Sequence, residues 1–210
     1  MTKFREWFQS HKYCLVLLYL PVYLLYFAYL QMFPAQHVHI IECALDRLIP
    51  TVPLFFIPYA LWWILFPGSL LYFLFYGGKK NFLKLCFLIF SGYTICLFVY
   101  TVWPNGLELR EPLAGKDLLT KGILWLRSID PPVNVCPSMH VSSTTAIDIT
   151  VRGEKKIPRR IRNTETVLAV LICVSTLMIR QHSLIDVFLG WVMCLFLYQI
   201  WRIFLDKRMQ

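Results

Sequence analysis

Five long apolar runs constrain this chain more than anything else in it: residues 13–33, 54–76, 82–103, a shorter run at 166–179, and 184–201. A bilayer crossing takes roughly 20 predominantly apolar residues, and these runs reach or approach that length. The chain is 58% hydrophobic and 16% charged, against roughly half and a quarter in ordinary soluble domains. These numbers predict an integral membrane protein. Lys3, Arg5 and Lys12 flank the first run, as they would flank a signal peptide. That run is too long and aromatic for a signal, no small-residue cleavage site follows it, and it is expected to stay as the first helix. The seven cysteines (14, 43, 86, 96, 136, 173 and 194) show no CxxC spacing. They read as small buried hydrophobes rather than a disulfide or metal framework.

The basic residues set the orientation. Lysine and arginine near helix ends concentrate on the cytoplasmic side. With a short extra helix at 138–151 there are six crossings and both termini lie inside. The inside set is then Lys3, Arg5 and Lys12, Lys79, Lys80 and Lys84, the stretch from Arg152 to Arg162, and Arg202, Lys207 and Arg208. Arg47, Arg110, Lys116, Lys121, Arg127 and Arg180 remain outside. The net charge of +9 therefore speaks of topology and anionic headgroups rather than nucleic acid. The helix at 138–151 is rich in Ser and Thr, and such a helix can cross when neighbours bury it and its hydroxyls bond to helix carbonyls.

The fold expected is all-α: one domain over 1–210, a bundle of six transmembrane helices, N-in and C-in, in the plasma membrane. Between the first two helices, residues 40–53 carry apolar positions at helical spacing with Glu42, Asp46 and Arg47 between them. That pattern suits a short helix lying in the interface or capping the bundle.

This topology brings Arg110, His140, Arg180, His182 and Asp186 to one face, the extracytoplasmic one. Ionisable groups near membrane depth are functional candidates by default. His182 and Asp186 stand four apart, so that on a helix the carboxylate can fix the imidazole tautomer and leave the other nitrogen as a nucleophile. His140 can serve as the complementary general acid or base. Arg110 and Arg180 offer fixed donors for phosphate oxygens. The amides of Ser138 and Met139, opening a helix after Pro137, offer an anion site. Each has a plainer counterpart: a packing histidine, a helix-stabilising His/Asp pair, a snorkelling arginine, the last also suiting Arg127 and Lys121. His11, His37 and His39 have no role in this reading.

Pro137-Ser138-Met139-His140 matches PSxH, and His182 with Asp186 matches HxxxD. Both segments resemble signature motifs of the type 2 phosphatidic acid phosphatase (PAP2) superfamily. The usual KxxxxxxRP motif is altered: Arg110-Glu111-Pro112 inserts a residue, and position 103 is Trp. The arginine usual six residues before the second histidine is Thr176, with Arg180 nearer. These departures, with Asp46-Arg-Leu-Ile-Pro50 and Pro58-Tyr59, resemble the branch of sphingomyelin and inositol phosphorylceramide synthases.

The resemblance implies a six-helix lipid phosphatase or phosphotransferase with His182 as the nucleophile of a phosphohistidine intermediate. Asp186 supports it and His140 protonates the leaving group. The substrate is a membrane lipid phosphate or phosphodiester taken from the bilayer, with no metal or other cofactor. Two alternatives stay open, a small transporter using these residues as a proton relay and an inactive relative of the superfamily. The headgroup, the acceptor (water or an alcohol) and the oligomeric state are open as well.

Overall fold

The computed structural model describes residues 2–209, almost all in helices and their connections. Eight α-helices follow in order: α1 (Thr2–Ser10), α2 (Tyr19–Met32), α3 (Phe56–Phe75), α4 (Gly78–Val102), α5 (Leu118–Ile129), α6 (Met139–Gly153), α7 (Arg159–Met178) and α8 (Leu184–Ile200). A 3-10 stretch leads into α2 and another into α3, so five helical segments are long and apolar enough to cross a membrane: Lys12–Met32, Pro53–Phe75, Gly78–Val102, Arg159–Met178 and Leu184–Leu205. They coincide with the five apolar runs. The fourth is longer than its run because Arg159 to Glu165 belong to the same helix.

The short polar helix is the hub of the bundle. α6 has 15 residues, about 22 Å at 1.5 Å per residue, and packs against α3, α4, α7 and α8. Ser142, Ser143 and Thr144 have no exposed surface. Ser143 and Thr150 donate to carbonyls four residues back, Met139 and Ala146, each at 2.8 Å. Such back-bonding lets hydroxyls sit in a helix interior. Small residues allow the helices to close up: a methyl on Gly92 of α4 would meet Ser142 Oγ at 2.9 Å. Ser143, Thr145 and Thr150 are satisfied by carbonyls of their own helix, while the hydroxyls of Ser142 and Thr144 are buried without partners among the described residues; this polar content is also why hydropathy alone passes over α6.

α4 supplies much of the core, with Phe82, Leu85, Leu88, Ile89 and Tyr93 almost wholly buried. α3 turns into α4 within two residues, and Gly78 at φ +74° occupies a backbone conformation that suits glycine. α2 buries none of its residues and leans on α4 through stacked Tyr19–Phe90 rings and a 2.9 Å bond between Tyr19 Oη and Thr94 Oγ1.

The connections at one end of the bundle are knitted together. His39-Ile40 pairs in parallel with Asn105-Gly106, and Val52 N donates to Met178 O at 2.9 Å. Within residues 40–53 the helical part is a five-residue 3-10 turn, Ala44–Leu48, shorter than a full α-helix. Leu45 and Leu48 are exposed, while Asp46 is 1% exposed and accepts from Leu184 N and Cys43 N, both at 2.7 Å. The buried carboxylate is used to cap two loops, which a solvent-facing position would not allow. Helix α5 was not expected. Asp117 caps it, accepting from Leu119 N and Thr120 N at 3.1 and 3.0 Å, and Ile123 and Leu126 pack it onto Tyr59 and Ile179.

Candidate active site

At the knitted end, a cavity of about 470 Å³ lies between α2, α3, α5 and the start of α6. Its walls are apolar and aromatic, including Tyr23, Phe27, Trp62, Phe66 and Leu126. Arg110, Asp130, Asn134, His140, Gln181 and His182 are its polar lining.

His182 precedes α8. Ser183 is the N-cap, and Asp186 closes a capping box with it: Ser183 N donates to Asp186 Oδ2 at 2.9 Å and Asp186 N to Ser183 Oγ at 3.2 Å. His182 Nδ1 lies 3.4 Å from the same Asp186 Oδ2. The pair therefore meets across a capped helix start rather than along a helical face, and one carboxylate serves both cap and imidazole. Asp186 is fully buried and its Oδ1 has no partner among the described residues.

His140 stands on the first turn of α6, its ring against Trp62 (4.3 Å between centroids) and Tyr59 (4.9 Å). The His182 ring meets it edge-on at 5.7 Å. The turn before α6 is fixed by groups the sequence did not single out. Tyr100 Oη donates to Pro137 O at 2.7 Å. Asn105, fully buried, accepts from Val135 N and Cys136 N at 3.0 and 2.8 Å and donates to Cys136 O at 2.9 Å. The starts of α6 and α8 touch directly, with Ser138 N donating to Asp186 O at 3.1 Å. A methyl on Gly190 would lie 2.6 Å from Ser138 O, so only glycine allows this approach.

Arg110 reaches the cavity from the loop after α4. It donates to Asp130 O at 2.7 Å and to Gln181 Oε1 at 2.6 Å. Its Nε and the Gln181 amide nitrogen are buried donors without partners among the described residues. Burial lowers the pKa of this guanidinium, Asp130 and Tyr59 opposing, while burial raises that of Asp130, Arg110 and His182 opposing.

Of the residues the sequence singled out, His140, His182, Arg110 and Met139 line the cavity, and Asp186 stands behind His182. Two do not take the place expected of them. Arg180, at φ +60°, turns away from the cavity; it is 4% exposed and donates to Asp46 O and Thr51 Oγ1, binding the 44–51 loop to the α7–α8 connection. Ser138 is fully buried; its hydroxyl accepts from Val141 N and its amide is taken by Asp186 O. It is a cap and a helix contact rather than an open anion donor. Met139 contributes its side chain, whose sulfur accepts from Tyr23 Oη at 3.1 Å. Arg127 donates to the carbonyls of Glu111 and Ile179, a clamp rather than a snorkelling flank. Gln181 and Asp130 are additions. Gln181 had a signal in being the neighbour of His182, whereas Asp130 had none.

Among the described residues no group of three or more His, Cys, Asp or Glu side chains is placed to hold a metal ion. No family model matches this chain, and no curated protein or solved structure matches it either.

Proposed function

We propose that this chain is a membrane phosphatase or phosphotransferase of the PAP2 type, acting on a lipid phosphate or phosphodiester through a phosphohistidine on His182. The observation that carries this reading is the convergence of His182, His140 and Arg110 on one apolar-walled cavity. An amphiphile needs that combination: an apolar wall for its chains and a few convergent polar groups for its head.

The proposed chemistry follows from the contacts. With Nδ1 directed to Asp186, His182 has Nε2 left to attack phosphorus. The N–P bond forms as the P–O bond to the lipid alcohol breaks, and His140, protonated, gives its proton to the departing oxygen. His140 then takes a proton from water or an acceptor alcohol, whose oxygen attacks phosphorus and releases His182. Arg110, held by Asp130 O and Gln181, offers fixed donors to the phosphoryl oxygens without reorganising. The bilayer arrangement proposed with it has six crossings, α6 being the short, enclosed one, with N-in and C-in termini and the cavity at the outer face. Lipid reaches it sideways between α2 and α3, whose Leu24 and Pro67 are among its lining residues.

Replacing the nucleophile tests this. His182→Ala, purified folded in detergent, should give no turnover of a labelled lipid phosphate or phosphodiester and no acid-labile phosphoprotein. Turnover at the wild-type rate by that variant would overturn the mechanism.

A further inference from the structure

Two donors at the larger cavity have no acceptor. Arg110 uses Nη1 on Asp130 O at 2.7 Å and Nη2 on Gln181 Oε1 at 2.6 Å, and its Nε is left over. A guanidinium only donates, so the Gln181 side chain has one orientation: its oxygen faces Arg110 and its NH2 group faces away. That nitrogen is buried without a partner among the described residues. It belongs to a side chain 2% exposed that lines the cavity together with His182. A buried donor left unbonded is costly, and a ligand oxygen at this wall removes the cost.

The backbone holds Gln181 as firmly as it holds His182. The amides of both donate to Thr176 O, at 2.9 and 3.1 Å, in the turn that ends α7. Arg180 before them is tied to Asp46 O and Thr51 Oγ1, and Ser183 after them caps α8. Resting on the phosphohistidine reading above, we infer that Gln181 is a further catalytic residue, whose Nε2 donates to a phosphoryl oxygen beside Arg110. The N–P bond to His182 forms as the P–O bond to the lipid alcohol breaks, and that oxygen leaves with the proton from His140. Phosphorus thereby moves toward His182, and its oxygens move toward the neighbouring amide. The bond from Gln181 tightens in the transition state, where it raises kcat rather than substrate affinity. A second cation in this place would bring like charge against a buried guanidinium, whereas a neutral amide adds a donor without that repulsion.

The test uses the full chain in detergent with labelled phosphatidic acid, a monoester, and labelled phosphatidylcholine, a diester. Gln181→Met keeps the length of the side chain and removes both donor and acceptor. On whichever lipid the wild type turns over, kcat should fall about tenfold or more, with KM within about twofold. The loss should persist when Gln181→Met is placed in an Arg110→Ala background, because the amide reaches the phosphate itself. A residue that only holds Arg110 in place would cost nothing there. Gln181→Glu keeps an acceptor for Arg110 and has no donor; it is the second variant where the methionine protein does not fold, and it should lose at least as much. A kcat within about threefold of wild type in the folded variant overturns the proposal, as does a loss that vanishes without Arg110. In both of those outcomes a wild type that still reacts through His182 keeps the phosphohistidine reading. If neither lipid reacts through His182, both fall.

Discussion

Two cavities flank α6, one at each end, and each contains a buried ionisable group. The larger gathers His140, His182, Arg110 and Asp130 from four separate segments. The smaller, about 280 Å³ between α3, α6 and α7, has apolar walls such as Leu65, Ile147, Val151 and Ile157, and Glu165 is the one carboxylate among its described lining residues. Glu165 is 9% exposed, and neither carboxyl oxygen has a hydrogen-bond partner among the described residues. Its electrostatic neighbour Asp148 is engaged with Thr166 and with Arg152, the latter at 3.1 Å. Burial of an ionisable group is therefore common to both cavities and does not by itself distinguish them. The first cavity differs by complementarity: an imidazole with its orienting carboxylate, a second imidazole and a held guanidinium face one space.

That contrast is sharpest at Arg110. Arg110→Ala removes the donor group from the larger cavity and leaves Gln181 Oε1 and Asp130 O without it. A fixed donor to developing phosphoryl charge is worth on the order of a hundredfold or more in kcat. The expected outcome is a kcat/KM lower by at least that factor, with a folded protein by thermal melting. A loss under fivefold would mean that the guanidinium does not touch the phosphate. Gly190→Ala ranks next. The added methyl forces the starts of α6 and α8 apart at the 2.6 Å approach to Ser138 O, and His140 and His182 ride on those starts. Displacements of about 1 Å near chemistry cost up to about a hundredfold, so turnover should fall more steeply than the melting temperature does. Equal activity would mean that the two helix starts need not be locked together.

Much of this was legible in the sequence, and the parts that were not share a cause. The five apolar helices follow from local composition, as does the coming together of His140, His182 and Arg110 from charge bias along the chain. α6 was found through the charges around it, because its serines and threonines keep its hydropathy low although several of them bond to its own carbonyls and to Trp62. Arg180 and Asp46 were misplaced because each is held by partners distant in sequence: Arg180 donates to the Asp46 main-chain carbonyl and the Asp46 carboxylate accepts from Leu184 N, tying one loop to another. Asp130 was missed since its position depends on α5, an amphipathic helix opened by the Asp117 cap that lies between two apolar runs and is too short to cross a membrane. Where a side chain acts on its own segment, pattern reveals it. Where two loops exchange partners, only the fold does.

The smaller cavity should yield the mildest effect, with the opposite sign. Glu165→Gln keeps the shape of a side chain whose carboxyl lies buried beside Asp148. The amide removes like-charge repulsion and can donate to the Asp148 carboxylate, whereas two carboxylates cannot both stay ionised there without cost. A gain of about 1 kcal/mol raises the melting temperature of a chain this size by about 2–4 °C, and turnover should remain within about twofold of wild type, since Glu165 lies outside the cavity proposed for the reaction. Differential scanning of the detergent-solubilised protein and the lipid assay read the two quantities separately. A Glu165→Gln protein that melts normally but loses activity as steeply as Arg110→Ala would mean that the lower cavity takes part in turnover, and the distinction between a complementary cluster and a solitary buried acid would fail for this bundle.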